Sequence, residues 1–251
     1  MPALVHERFE GDWQTAWTGQ AHNSYTTGSH ADGVQGLRIM FRKGSHYGCD
    51  LRQDVPPTRH VRMSYWVRVA GDWASHSTGK TIGFADLRWK GLLGQSLGHG
   101  NRRPKPDGFS FRTWFGKTTA DGRLPIGMYV YHSKQTKLWG DSVKVGSIQV
   151  GADHQLFEVE ADLDAGVIRA RLDGAAWVTH RIEVGARTAV TTAWLDGYYG
   201  GPKKAPADMA MDVDNYRLDD LTVEVPVVVV PAMSLADEMR ALADRVAAAL
   251  V

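Results

Sequence analysis

The sequence predicts an all-β protein, an antiparallel two-sheet β-sandwich followed by one short C-terminal α-helix. Three observations carry that expectation. Apolar and polar residues alternate with period two in short runs, turn signals separate the runs, and a helical apolar period is all but absent before residue 232. With 251 residues, 27 glycines and 10% aromatic residues, the chain has the length for one large β domain and the composition for strands joined by tight turns.

Each element follows in order. LRIMFR at 37–42 places Leu37, Ile39 and Phe41 on one face, and VRMSYWVRV at 61–69 does the same with Val61, Met63, Tyr65, Val67 and Val69. Similar runs occupy 108–115, 128–132, 157–163, 167–172, 189–195 and 216–225. Between them Ala120-Asp121-Gly122, Asp164-Ala165-Gly166 and Asp173-Gly174 supply residues suited to tight reversals. Many short strands of this kind suit a jelly roll, taken here as a single domain over residues 1–224.

The tail differs. VPVVVVP at 225–231 is bracketed by prolines and predicts an extended linker over 225–233. Over 234–251, Ser234 reads as an N-cap with Asp237 in the first turn, and Leu235, Met239, Leu242, Val246 and Ala249 recur in steps of four and three. That seam serves either packing on the chain's own sandwich or self-association, as a homo-oligomer or within a virus particle. So short a helix needs the domains it joins to hold it.

Charge narrows the partners. Lys and Arg number 29 against 28 Asp and Glu, so no global basic field favours nucleic acid or an anionic membrane. No stretch of about 20 apolar residues is present to span a bilayer. The start, MPALVHERFEGDW, lacks the apolar core of a secretory leader, so the expected location is the cytoplasm, or the exterior or a virion reached by another route. A single cysteine, Cys49, rules out an intramolecular disulfide and a multi-cysteine metal site, and reads as a small buried apolar residue.

Residues 74–81, ASHSTGKT, satisfy the loose pattern of a phosphate-binding loop. Such a loop works by feeding a glycine-rich turn into a helix N-terminus. Here IGFADLRWKG at 82–91 follows, with two glycines and no helical period, so nucleotide binding is not expected and Lys80 needs another role.

Two later strands suggest one. In FSFRTW at 109–114, alternation puts Ser110, Arg112 and Trp114 on one face; in MYVYH at 128–132 it pairs Tyr129 with Tyr131. A face that is half aromatic and half hydrogen-bonding is what a concave sheet offers to a sugar chain.

Several segments then fall into a family's order. LRIMFRKGS at 37–45, GDW at 71–73 with GKTIGF at 79–84, Ser110-x-Arg112, Tyr129-x-Tyr131, DGYYGG at 196–201 and DVDNYRL at 212–218 resemble, in sequence, the motifs of the alginate and glucuronan lyases, especially polysaccharide lyase family 14. The resemblance covers about residues 5 to 224. It implies a concanavalin-like jelly roll that cleaves an acidic, uronate-containing polysaccharide by β-elimination and requires no cofactor. It places the catalytic groups on Lys80, Ser110, Arg112, Tyr129 and Tyr131. Two departures stand out: Ile82 replaces the family's proline, and residues 88–107 form a longer insertion.

A uronate lyase removes the C5 proton beside the carboxylate and expels the glycosidic oxygen from C4. Charge grows next to an existing charge, so Arg112 is suited to offset the carboxylate by a bidentate grip, with Ser110 adding a neutral hydrogen bond. Two cations near a phenol would lower its pKa, so Tyr129 or Tyr131 can be the base, with Lys80 or the other tyrosine as the acid.

Other groups have two readings each. His99, Asn101, Arg102, Arg103 and Lys105 in the insertion form a patch for anionic sugar units or a solvated charged loop, and Trp89 and Trp114 stack on sugar rings or pack internally. His22, His30, His154 and His180 lack a close ligand spacing, so no zinc site is expected. Asp212 and Asp214, with Asp219 and Asp220, are either weak candidates for structural calcium or solvated strand ends. The rival function is a non-catalytic carbohydrate-binding or structural virion protein, a phage tail or capsid appendage assembling through its C-terminal helix. A virion-borne depolymerase would combine both.

Overall fold

The structure, a computed structural model, describes residues 2–88, 108–133, 135, 139–201 and 203–222. They form two antiparallel sheets. The first runs β13 (Val178–Arg181), β12 (Val167–Leu172), β11 (Gln155–Asp162), β6 (His60–Val69), β15 (Met209–Asp220), β4 (Gly36–Phe41) and β3 (Tyr25–Thr27), with β1 (Ala3–Glu7) also pairing β15. The second runs β10 (Asp141–Gln149), β9 (Arg123–His132), β8 (Phe109–Phe115), β7 (Gly79–Ala85), β14 (Val190–Tyr199), β5 (Tyr47–Thr58) and β2 (Thr18–Gln20). A short 3-10 turn, Trp13–Ala16, lies between β1 and β2.

Alternation explains the sandwich. Along β6, Val61, Met63, Tyr65, Val67 and Val69 are fully buried while the residues between them are half-buried. Phe109, Phe111 and Phe115 of β8 and Ile126, Met128 and Val130 of β9 are buried on the inner face of the other sheet. Each such side chain stabilises the fold by roughly 1.5–3 kcal/mol through removal of apolar surface from water.

Two buried tyrosine hydroxyls are satisfied across the layers. The Tyr65 hydroxyl of β6 donates to Thr113 Oγ1 of β8 at 2.8 Å, and the Tyr216 hydroxyl of β15 donates to the Gly83 carbonyl of β7 at 3.3 Å. Cys49 is buried, its thiol donates to the Leu195 carbonyl at 3.3 Å, and burial pushes its pKa up.

The turn signals lie where the strands reverse. Asp173 and Gly174, between β12 and β13, both have positive φ, 54° and 72°, as a tight primed turn requires. Several strand limits need correction: β15 spans Met209–Asp220 rather than 216–225, β14 runs on past residue 195 to Tyr199, and the run 128–132 is only the second half of β9. The 74–81 motif leads into strand β7 and not into a helix. The linker at 225–233 and the helix at 234–251, with the assembly roles suggested for it, lie outside the described residues.

Gly83 is one of the tight points in the second sheet. A Cβ there would meet the Phe111 carbonyl oxygen at 2.0 Å and Arg112 Cα at 2.9 Å. Gly83→Ala is expected to destabilise the protein by about 1–3 kcal/mol through overpacking. Urea unfolding will show it as a lowered midpoint at constant slope; an unchanged midpoint would mean that β7 and β8 part without cost.

Candidate functional site

The two outer faces carry charge differently. On the first sheet, Arg62 and Arg169 both reach Glu160 at 2.7 and 2.8 Å, Arg171 pairs with Glu158, and Arg38 and Arg68 share Asp212 at 2.6 and 3.2 Å. Each of these cations is paired with a carboxylate. Asp214 accepts from the amides of Ala31 and Asp32, both at 2.8 Å, and from that of Asn215. Asp212 and Asp214 are fully buried, which corrects their reading as solvated strand ends. Their oxygens are engaged by cations and amides that calcium would have to displace.

The second sheet brings all five sequence-predicted catalytic residues together. Cross-strand partners share a face, and the register sets Ser110 opposite Tyr131 and Arg112 opposite Tyr129. On the other side of β8, Arg112 faces Gly83 and Trp114 faces Lys80. The register slips between Lys80 and Gly83, so these two residues, an odd number apart, both turn outward. With no side chain on Gly83, Arg112 reaches across β7 to Trp194 of β14, its guanidinium carbon 4.8 Å from the indole centroid.

Lys80 lies among rings. Its Nζ is 4.3 Å from the Tyr129 centroid and 5.4 Å from that of Tyr198, and it makes no salt bridge or hydrogen bond with the described residues. Burial, then the nearby Arg112, lower its pKa from 10.5 to about 7, against the opposing pull of Asp196. A lysine so placed changes protonation near neutral pH.

The tyrosines behave differently. Their hydroxyl oxygens are 3.0 Å apart, the rings meet edge to face at 5.1 Å, and Trp114 packs against both. The Gly140 amide donates to the Tyr129 hydroxyl at 3.1 Å. Burial, then Tyr131, push the Tyr129 phenol above its ordinary value, and Arg112 only partly opposes this. The expectation that neighbouring cations would make Tyr129 a ready phenolate is therefore corrected, because desolvation outweighs them.

Arg112 is held from one side only. Its Nη1 donates to Asp196 Oδ2 at 2.8 Å, both side chains being buried, while its buried Nε has no hydrogen-bond partner among the described residues. Burial raises the Asp196 pKa and Arg112 lowers it. Behind them, Trp194 Nε1 donates to Asp50 Oδ1 at 2.9 Å, and Arg52 donates to Asp50 Oδ2 at 2.9 Å. Tyr198, half-buried, and Tyr47, exposed, form an aromatic rim with ring centroids 5.4 Å apart.

Sequence reasoning missed Asp196, Trp194 and Asp50. The signal was present: along β14, Thr192, Trp194, Asp196 and Tyr198 alternate with the core residues Ala193 and Leu195. Trp89, His99, Asn101, Arg103 and the rest of the insertion lie outside the described residues. His132, Asp141 and His180 converge from three strands, a grouping that no sequence spacing announces.

Fold and site together define a β-sandwich with a polar-aromatic face on one sheet. Solved structures of similar fold include a PL-14 alginate lyase from Aplysia kurodai, with TM-score 0.56 and 15% identity over 79% of this chain and 87% of that one. The alginate lyase vAL-1 from Chlorella virus matches with TM-score 0.59 and 13% identity, over 82% of this chain and 93% of that one. A family 16 endo-glucanase from Bacteroides ovatus has TM-score 0.55 and 10% identity, over 86% and 100%. At such identities the likeness is one of fold. No protein-family model matches the chain, and neither does any curated protein.

Proposed function

We propose that this protein is a polysaccharide lyase that cleaves a uronate-containing polymer by β-elimination on the outer face of the second sheet. The observation that carries the reading is the cation arrangement: Lys80 without a salt bridge beside paired phenols, and Arg112 with a buried Nε–H lacking an acceptor among the described residues. A uronate carboxylate would supply the acceptor that Arg112 lacks, since a buried donor left unmade is costly and an arginine–carboxylate bond is among the stronger hydrogen bonds.

In this mechanism Arg112 and Ser110 hold the carboxylate and offset the charge that develops beside it. Neutral Lys80 takes the C5 proton, the electron pair of that bond forms the C4–C5 double bond, and the C4–O4 bond breaks. The paired phenols of Tyr129 and Tyr131 deliver a proton to the leaving O4. Trp114, Tyr198 and Tyr47 offer ring faces to the flanking sugars. The insertion residues His99, Asn101 and Arg103 are proposed to add recognition of further anionic units.

Two solved structures of the same fold are named alginate lyases and one an endo-glucanase, so hydrolysis is the obvious rival. A glycosidase needs two carboxyl groups free to act as acid and as base or nucleophile. Asp50 and Asp196 stand opposite each other in β5 and β14, but Asp50 is bonded to Arg52 and Trp194, and Asp196 to Arg112. They anchor the cationic side of the site.

The test is incubation with alginate, glucuronan and bacterial surface polysaccharides, following the ultraviolet absorbance of the unsaturated product. Turnover of a uronate polymer is expected, and Tyr131→Phe is expected to lower kcat by about 10²–10⁴-fold with KM little changed. New reducing ends without the unsaturated chromophore would establish hydrolysis and sink the lyase reading.

A further inference from the structure

At one edge of the sandwich, away from the lysine and arginine, three ligand-type side chains meet. His132 ends β9, Asp141 begins β10, and His180 belongs to β13 of the other sheet. His132 Nε2 and His180 Nε2 each lie 3.2 Å from Asp141 Oδ2, and the three ligand atoms all fall within 4.8 Å of one another. His132 is buried and the other two are half-buried.

We propose that His132, Asp141 and His180 form a binding site for a divalent transition ion of the zinc type, which clamps the two sheets together. The geometry suits one. Ligands about 2.0–2.1 Å from a tetrahedral zinc are about 3.3 Å apart, close to the observed nitrogen–oxygen separations. Nitrogen and carboxylate donors are the set zinc accepts, with water completing the shell.

The surroundings of His132 add a second argument. Its Nδ1 lies 3.3 Å from the Glu183 carbonyl oxygen. With Nε2 on the metal, Nδ1 carries the hydrogen and donates it to that carbonyl, the usual outer support of a metal-bound histidine. Without metal, the same nitrogen can accept from the Glu183 amide at 3.2 Å while Nε2–H donates to Asp141. Binding thus puts the ion on His132 Nε2 and shifts that neutral ring to its Nδ1–H tautomer, with no net proton lost from the ring and no change in oxidation state.

Because His132 follows Tyr131 and Asp141 follows Gly140, whose amide holds Tyr129, the clamp would fix the strand ends that carry the phenols. Its role is positional and does not depend on which polymer the protein cleaves.

The full chain, stripped with chelator, is to be titrated with zinc chloride against a chromogenic competitor, and its thermal unfolding recorded with and without zinc. One equivalent is expected to bind and raise the unfolding temperature. His180→Ala is expected to weaken zinc by about tenfold or more and to abolish the thermal shift while far-ultraviolet dichroism stays native. Asp141→Asn is the second variant, and cobalt in place of zinc should give a tetrahedral visible spectrum in the unaltered chain alone. Absence of stoichiometric binding by the unaltered chain overturns the proposal. So does binding that survives both substitutions, which would place the ion on other histidines.

Discussion

Lys80→Met is expected to reduce kcat/KM on the uronate polymer by about 10²–10⁴-fold, the range for loss of a general base. In the unaltered protein, kcat/KM should rise with pH through about 7, because in the proposed mechanism Lys80 accepts the C5 proton only after losing its own. The methionine variant should lack that rise. A profile that falls through the same region would make Lys80 the acid and reverse the roles. Stability should move the opposite way. The folded pKa of Lys80 is about 7, below the ordinary 10.5, so the unfolded chain holds the proton more tightly. The cost of burying the ammonium is therefore fully present below pH 7 and fades as pH rises towards 10.5. Lys80→Met should unfold at a higher temperature than the unaltered protein at pH 6, with the difference shrinking at alkaline pH. Equal unfolding temperatures at pH 6 would show that the lysine is not strained by its surroundings.

Asp196→Asn is expected to damage both stability and turnover. Removing one partner from a buried ion pair leaves Arg112 uncompensated and costs about 3–5 kcal/mol, to be read from urea unfolding. It also removes the carboxylate that raises the Lys80 pKa. The rise in kcat/KM should accordingly shift to lower pH in this variant. A stability loss with an unmoved pH profile would confine Asp196 to a structural role, and an unmoved profile with intact stability would dissolve the proposed coupling altogether.

The parts legible in the sequence were those with a local period. Alternation along β6 and β8 placed Val61 to Val69 and the pair Ser110 and Arg112 on their correct faces, because a strand's facing repeats every second residue whatever its partners. Lys80 was legible as a candidate only through its resemblance to a family motif, and its unusual protonation was not, since that depends on burial and on Arg112 one strand away. The phenol pKa was misjudged for the same reason: sequence shows that cations are near but not how much water has been excluded. Asp196 and Trp194 carried the alternation but no partner, because their value comes from Gly83, whose missing side chain lets Arg112 cross β7. The meeting of His132 with His180 joins strands of different sheets, and no spacing rule spans that gap.

The two hydrogen bonds through the core have a mechanical meaning. Thr113, which receives the Tyr65 hydroxyl, sits between Arg112 and Trp114, and the Gly83 carbonyl that receives Tyr216 belongs to the residue opposite Arg112. Sliding one sheet over the other would break both bonds in a place where no water can replace them. The polar-aromatic face is therefore bolted to the layer behind it, so that fitting it to a ligand of different shape would fall to side chains and surrounding loops rather than to sliding of the sheets.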